Sequence, residues 1–93
     1  MIYHWLKNKR PVPTITKKRN NDEMLIVCGA TLEMYYLNPM AKTIFEAMDG
    51  IKTVDDVKNL ILSQFEVSER ELELDLVDIV RDFQWKRLVK LEG

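Results

Sequence analysis

The sequence has too few of the residues from which most catalytic and metal sites are built. It contains one cysteine, Cys28, and one histidine, His4, so neither an internal disulfide nor a cluster of thiolate and imidazole metal ligands can form. Its three glycines are Gly29, Gly50 and Gly93, and their wide separation excludes a glycine-rich phosphate loop. We therefore expect no catalytic activity, no metal and no cofactor.

Long apolar runs are also missing. No stretch approaches the roughly 20 residues that a membrane span requires, and residues 1–13 lack the apolar core and cleavage site of a secretory signal. We therefore expect a cytoplasmic protein without a membrane partner, in which Cys28 is a buried thiol. The 93 residues, 46% of them hydrophobic, predict one domain with a modest core. We assign residues 1–10 to a basic N-terminal arm and residues 11–93 to the domain.

Charge is distributed unevenly along the chain, although the formal net charge is only −1. Residues 1–20 contain six basic residues and no acidic residue, whereas residues 21–93 contain all 15 acidic residues and the remaining basic ones. The basic segment could contact an acidic partner or could be a solvated end, and the sequence leaves both interpretations open.

The first part of the chain contains short runs of β-forming residues. Residues 14–16 predict a first strand, residues 24–28 the central strand and residues 32–37 a third strand. Turns are predicted at residues 20–22 and at Gly29-Ala30, the latter with a positive φ at the glycine. By alternation, the third strand has one face formed by Leu32, Met34 and Tyr36 and another formed by Glu33, Tyr35 and Leu37.

After residue 38 the apolar spacing is that of helices. Asn38 suits a helix N-cap and Pro39 the first helical position, so a first helix is predicted to begin there. Thr53 is predicted to cap a second helix, and Ser68 a third and longest helix that runs to about Lys86. The residues predicted to face the core are Ala41, Ile44, Phe45 and Met48, then Val54, Val57, Leu60 or Ile61 and Phe65, then Leu72, Leu76, Ile79, Val80 and Phe83.

The predicted order, three strands followed by three helices, is an α+β layout in which an antiparallel sheet packs against helices. Residues 88–91 alternate in polarity and predict either a short final strand or a segment that closes over the core. The third strand is predicted to pair with the second, and its other edge has no predicted partner. Such an edge offers backbone N–H and C=O groups to another strand.

The third predicted helix carries a second group of residues, several of them apolar, roughly opposite its core stripe. At about 100° per residue, this second side contains Leu74, Val77, Arg81 and Trp85. The apolar residues among them are scattered on the surface, or pack on the N-terminal arm, or form the wall of a groove beside the free strand edge. In the last case an extended peptide would add a strand to that edge, with Asp78 and Arg81 providing polar contacts at the rim.

Two other classes of function remain open. A small sheet with three helices also resembles a DNA-binding winged helix. The formal charge of the third helix is −4 from Ser68 to Asp82, which would repel phosphates, so we expect no nucleic-acid partner. A module that forms homodimers through the same strand edge is the other alternative.

Short motifs in a characteristic order carry a resemblance to a known family. They are Tyr35-Tyr36-Leu37-Asn38, Ala41, Ile44, Asp49-Gly50 and Thr53-Val54-Asp55-Asp56, followed by a long closing helix. With this order, the chain from roughly Ile15 to Leu91 resembles the PqqD-like family. These domains are recognition elements for precursors of RiPPs, which are ribosomally synthesised and post-translationally modified peptides. The resemblance implies a winged helix-turn-helix-like fold with an N-terminal three-stranded sheet.

The resemblance also implies a function, that of a non-catalytic adaptor. Such an adaptor binds the leader segment of a precursor peptide as an added strand on the third strand, against the third helix, and presents it to an enzyme. Residues 35–41 look especially like stand-alone members from lasso-peptide pathways, whose partner is a leader peptidase, but a cyclase or a radical SAM enzyme is also an expected partner. By position, the resemblance assigns peptide binding to Glu33, Met34, Tyr35, Tyr36, Leu37, Leu74, Val77, Asp78, Arg81 and Trp85.

Overall fold

The computed structural model describes residues 2–15, 17–21, 24–29 and 33–93 of the chain. In chain order, the elements are α1 (Ile2–Leu6), β1 (Arg10–Pro13), β2 (Lys17–Asn21), β3 (Met24–Cys28), β4 (Met34–Leu37), α2 (Pro39–Ala47), α3 (Val54–Gln64), α4 (Glu69–Trp85) and β5 (Val89–Glu92). Within the described ranges, no helix combines the length and the apolar character that crossing a membrane requires.

The strands form two separate antiparallel sheets. β2, β3 and β4 form a three-stranded sheet with β3 in the middle, which confirms residues 24–28 as the central strand and confirms the α+β layout. The register aligns Val27 of β3 with Lys18 on one side and with Tyr35 on the other. β1 pairs with β5, so the end of the chain does form a final strand.

The first strand of the larger sheet begins later in the chain than the sequence predicted. Residues 14–15 precede β2 and belong to no strand, and Thr16 lies outside the described residues. The turn predicted at residues 20–22 was also misplaced, because its first two residues pair with β3, while Asp22 lies outside the described residues. The prediction was wrong because β2 is an edge strand: backbone pairing with β3 forms it, and its charged side chains face solvent.

Gly29 has a different role from the predicted one. The described glycines with positive φ are Gly50 and Gly93, so Gly29 does not adopt the left-handed conformation expected for the turn. A Cβ atom at Gly29 would lie 3.2 Å from the carbonyl oxygen of Lys86. Glycine here therefore allows the end of α4 to approach the end of β3 closely. Residues 30–32, which include the rest of the predicted turn and the start of the third predicted strand, lie outside the described residues.

The three long helices begin where the sequence predicts. The side chain of Asn38 accepts a backbone hydrogen bond in the first turn of α2, and Pro39 is the first helical residue. Thr53 and Asp56 form a complete capping box at α3, each side chain accepting the other's backbone N–H at 3.1 and 3.0 Å. Ser68 caps α4 in the same manner as Asn38 caps α2. These contacts satisfy N–H groups that a helix leaves without internal partners.

The core lies between the inner face of the three-stranded sheet and the helices. The residues of the helices and their caps that are buried in it include Ile44, Phe45, Met48, Val54, Val57, Ile61, Leu72, Leu76, Val80 and Phe83, all of them predicted. Phe45 and Phe83 pack edge to face, with their ring centroids 5.5 Å apart. Tyr3 and Leu6 of α1 are buried in the same core. The N-terminal segment, whose structure the sequence left open, therefore packs on the domain through α1.

Candidate peptide-binding site

The edge of β4 that faces away from β3 has no strand partner among the described residues. The carbonyl oxygen of Glu33 accepts a hydrogen bond at 3.4 Å from the backbone N–H of the residue that follows β3. Because backbone polar groups alternate in direction along an antiparallel strand, Tyr35 and Leu37 also direct their N–H and C=O groups to β3. Met34 and Tyr36 therefore direct theirs to the free edge, where an added strand could bind them.

The side chains of β4 alternate between two faces, as the sequence predicts. Leu37 is buried and Tyr35 is half-buried on the inner face, toward the helices. On the outer face, Met34 is 62% exposed and Tyr36 is 60% exposed. A peptide strand beside β4 would continue this alternation, so its side chains would point in turn to the inner wall and to the outer face.

Tyr35 connects β4 with the C-terminal part of α4. Its hydroxyl donates a hydrogen bond of 2.6 Å to the carboxylate of Glu33, and this bond is the main cause that raises the pKa of Tyr35. The Nζ atom of Lys86 lies 5.0 Å from the centroid of the Tyr35 ring and 2.8 Å from a carboxylate oxygen of Asp82. These contacts show which side of α4 faces β4.

The side of α4 that faces β4 is acidic. Residues spaced three, four or seven apart share one side of a helix, so Asp75 and Asp78 lie on the same side as Asp82. All three are exposed. Within the described part of the chain, neither Asp75 nor Asp78 forms an ion pair. A ligand between β4 and α4 would therefore meet carboxylates that are available for basic side chains.

Three of the other predicted residues of α4, namely Leu74, Val77 and Arg81, come together on a neighbouring side of the helix, against α1. They line a hollow of about 400 Å³, whose lining residues are Ile2, Tyr3, Leu74, Val77, Asp78 and Arg81. The lining includes no residue of β4. Trp85, which is 86% exposed, lies outside this hollow. α4 thus has an α1 side and a β4 side, and Asp78 lies at the border between them.

Two residues of the β4 side, Asp82 and Lys86, were not among the predicted site residues. Asp82 follows Asp78 by four residues, and Lys86 follows Asp82 by four. An acid and a base at this spacing meet on one helix face, and this is the sequence signal that could have found them. Ile2 and Tyr3 were missed for a different reason: they belong to the segment whose structure the sequence left open.

A buried lysine fixes α1 to α3 and α4. Lys58 is only 6% exposed. The carboxylates around its Nζ atom are those of Asp55, Glu69 and Glu73, at 3.2, 2.8 and 3.0 Å. The hydroxyl of Tyr3 donates to Asp55 at 3.0 Å. Hydrogen bonds to these carboxylates raise the pKa of Lys58, and the bond to Glu69 has the largest effect. The pKa of Tyr3 is raised mainly by burial. This cluster holds Tyr3 in place as one wall of the α1-side hollow.

Comparison with protein families identifies the class to which this chain belongs. Residues 23–89 match the family described as coenzyme PQQ synthesis protein D (PqqD). The match spans more than half of the chain, and the chain therefore belongs to the PqqD family. This confirms the resemblance that the sequence motifs indicated. Comparison with curated proteins finds no match.

The fold is also similar to that of a solved structure, described as TbiB1 in complex with the TbiA(beta) leader peptide. The TM-score is 0.72, and the similar region covers 87% of this chain and 90% of that chain. The two sequences are 18% identical, so the similarity establishes a shared fold.

Proposed function

We propose that this protein is a non-catalytic adaptor, which binds the leader segment of a ribosomally synthesised precursor peptide and delivers it to a modifying or processing enzyme. The observation that carries the proposal is the free edge of β4, at which Met34 and Tyr36 direct backbone groups outward. The leader would pair with this edge as an added antiparallel strand. Membership of the PqqD family, and a fold shared with a protein solved with a leader peptide, support the proposal.

Backbone pairing alone would bind the leader weakly. Met34 and Tyr36 each offer an N–H and a C=O, and at about 1 kcal/mol net per hydrogen bond these groups would contribute about 4 kcal/mol. Micromolar binding requires about 8 kcal/mol. Side chains of the leader must supply the remainder, and one apolar side chain buried against the protein contributes about 1.5–3 kcal/mol. Affinity and sequence preference would therefore depend on the walls beside the edge.

The leader strand would lie along residues 33–37, between β4 and the β4 side of α4. Its inward side chains would contact Tyr35, and basic ones among them would lie near Asp78 and Asp82. Contacts with Leu74, Val77, Arg81 and Trp85, which the sequence analysis assigned to the same groove, would require the leader to extend past Asp78 to the α1 side.

The receiving enzyme would be a leader peptidase, a cyclase or a radical SAM enzyme. The adaptor would work in the cytoplasm, where newly synthesised precursors are available. The free edge of β4 also favours a second candidate function, homodimerisation through paired copies of β4. A dimer of this kind would dissociate when a leader occupies the edge, so the two functions predict different oligomeric states in the presence of peptide.

An NMR titration tests the proposal. The probe is a synthetic leader segment of a candidate precursor peptide, to be sought among the genes next to that of this chain, and the control is a scrambled peptide of the same composition. We expect micromolar binding of the leader, with the largest amide shift changes at Met34 and Tyr36, because their N–H groups would gain partners. Absence of any change in β4 at tens of micromolar peptide, or equal binding of the scrambled peptide, would contradict the proposal.

A further inference from the structure

A second surface lies on the outer face of the three-stranded sheet, opposite the buried side chains of the core. It is a hollow of about 470 Å³ lined by Lys17, Lys18, Arg19, Ile26, Cys28, Met34 and Tyr36, which we call the outer-face site. Its apolar side chains are neighbours across the strands, since Ile26 is aligned with Tyr36 and Cys28 with Met34. An exposed apolar surface with a polar rim is typical of an interaction site.

The charged residues of the outer-face site are all basic. Lys17 and Arg19, which are aligned with Cys28 and Ile26, contribute two positive charges to the outer face, whereas Lys18 is aligned with the buried Val27 and so belongs to the inner face. The described residues of the lining include no carboxylate. Among the described residues, no carboxylate lies within ion-pair distance of these three basic side chains. The basic strand therefore runs directly beside the apolar one. A complementary surface would have apolar side chains bordered by carboxylates.

We propose that the outer-face site docks an acidic surface of a partner protein, one that carries apolar side chains among its carboxylates. Single-stranded nucleic acid is the less suitable ligand, because it binds to sheets through several stacking rings, whereas the lining residues that the structure describes include one ring, that of Tyr36. A second copy of this chain could offer the acidic α4, with exposed Leu74 and Trp85. That contact would join two different surfaces and would generate open chains of molecules rather than a closed dimer.

The position of the outer-face site suggests which protein docks there. A strand added to β4 would lie about 5 Å from it, so its outward side chains would be next to Met34 and Tyr36. A protein seated on the outer face would therefore contact this protein and the leader at the same time. In this step, which rests on the proposed function, the partner is the enzyme that receives the leader. The inner wall would select the leader and the outer face would select the enzyme.

Two synthetic peptides test the outer-face site directly. They have the same length and the same Leu and Phe residues, but Asp and Glu flank these residues in one peptide and Lys in the other. In an NMR titration of the full chain at about 0.15 M salt, we expect the acidic peptide to bind at least about tenfold more tightly. We expect its largest shift changes at Lys17, Arg19 and Ile26. Equal affinity of the two peptides, or shift changes confined to other surfaces, would overturn the proposal.

A pair of double variants separates this proposal from the proposed function. Lys17→Glu with Arg19→Glu is expected to weaken the acidic peptide about tenfold and to leave the affinity for the leader unchanged, because β4 and α4 are intact. The control, Arg70→Glu with Lys90→Glu, has the same change in net charge at other exposed positions. It should bind the acidic peptide and the leader as tightly as the original protein does. If only the leader fails to bind the original protein, the proposed function is wrong and the outer-face site stands.

Three further results would overturn the outer-face proposal. The first is an unchanged affinity of the Lys17→Glu, Arg19→Glu variant for the acidic peptide. The second is a single-stranded DNA that binds the same residues more tightly than the acidic peptide does. The third is a set of concentration-dependent shift changes at these residues without any peptide, which would identify a second copy of the chain as the occupant.

Discussion

The two sides of α4 are built from different kinds of contact. On the α1 side, Lys58 is buried among three carboxylates, and Tyr3 is hydrogen-bonded to one of them. On the β4 side, Lys86 forms an exposed pair with Asp82 and lies over the ring of Tyr35. A buried cation that three carboxylates hold cannot easily change partners, whereas exposed pairs contribute little and can be replaced by a ligand. The α1 side therefore holds the fold together, and the β4 side remains available for binding.

The largest expected difference between the two sides is in stability. Lys58→Met would leave three neighbouring carboxylates without their cation, and because water reaches these carboxylates in part, we expect the free energy of unfolding to fall by about 2 kcal/mol. The matched change on the β4 side, Lys86→Met, removes one exposed pair and should cost less than about 1 kcal/mol. Urea unfolding measures both variants. Losses of equal size would show that the two sides do not differ in the way described.

The next largest effect is expected at the free edge of β4. Met34→Pro removes an N–H that points away from β3, and edge strands tolerate proline. We expect leader affinity to fall about tenfold, which is about 1.4 kcal/mol. Met34→Ala is the matched control: it shortens the same side chain but keeps the N–H, and it should weaken binding about twofold. Isothermal titration calorimetry measures both.

A second proline variant tests the direction of the backbone groups in β4. Tyr35→Pro removes an N–H that bonds to β3, so it should destabilise the fold, whereas Met34→Pro should not. If Met34→Pro binds the leader as tightly as Met34→Ala does, the leader does not pair with this edge of the sheet. If Tyr35→Pro is as stable as Met34→Pro, the assignment of the free groups to Met34 and Tyr36 is wrong.

The features that the sequence predicted well are those whose causes are local. Asn38 and Thr53 mark helix starts because their side chains bond within the next turn, and the core stripes follow from helical period alone. The position of β2 could not be predicted in this way. Its residues, Lys17–Asn21, form a strand only because β3 offers them backbone partners, and that pairing is a tertiary contact.

The candidate site shows the same limit. Apolar Leu74 and Val77 correctly indicated that α4 has a second contact surface, but helical period does not say which neighbour covers it. The neighbour is α1, whose helical structure the sequence left undecided. Lys86, which lies over the ring of Tyr35, and its partner Asp82 are polar and exposed enough to resemble ordinary helix surface. Only the fold distinguishes them from the other charged residues of α4.

A smaller effect should show which side of α4 the leader contacts. Asp82→Asn removes a charge from the β4 side, and we expect it to weaken leader binding about fivefold if basic side chains of the leader face inward. Arg81→Gln removes a charge from the α1-side hollow and should change the affinity less than about twofold. Fluorescence anisotropy with a labelled leader measures both. A larger loss for Arg81→Gln would place the leader against the α1-side hollow, in contact with a residue that the sequence assigned to the wall of the peptide groove.

The smallest expected effect concerns alkaline pH. Burial is the largest cause that raises the pKa of Tyr3 on the α1 side, whereas the hydrogen bond to Glu33 is the largest cause for Tyr35 on the β4 side. A group whose pKa is higher in the folded state contributes stability below its unfolded pKa, about 10 for tyrosine, and loses that contribution as pH rises through the folded pKa. The free energy of unfolding should therefore change little between about pH 7 and 9 and decline above about pH 10.

Two tyrosine variants assign this alkaline decline to one side of α4. Tyr3→Phe removes the titrating hydroxyl that is bonded to Asp55, so the decline between about pH 10 and 11 should be shallower by up to about 1 kcal/mol. Tyr35→Phe removes a hydroxyl bonded to an exposed carboxylate, where water screens the interaction, and should alter the decline less. Urea unfolding at a series of pH values measures the slopes. Equal slopes for the two variants would mean that burial raises the pKa of Tyr3 no more than the exposed hydrogen bond raises the pKa of Tyr35.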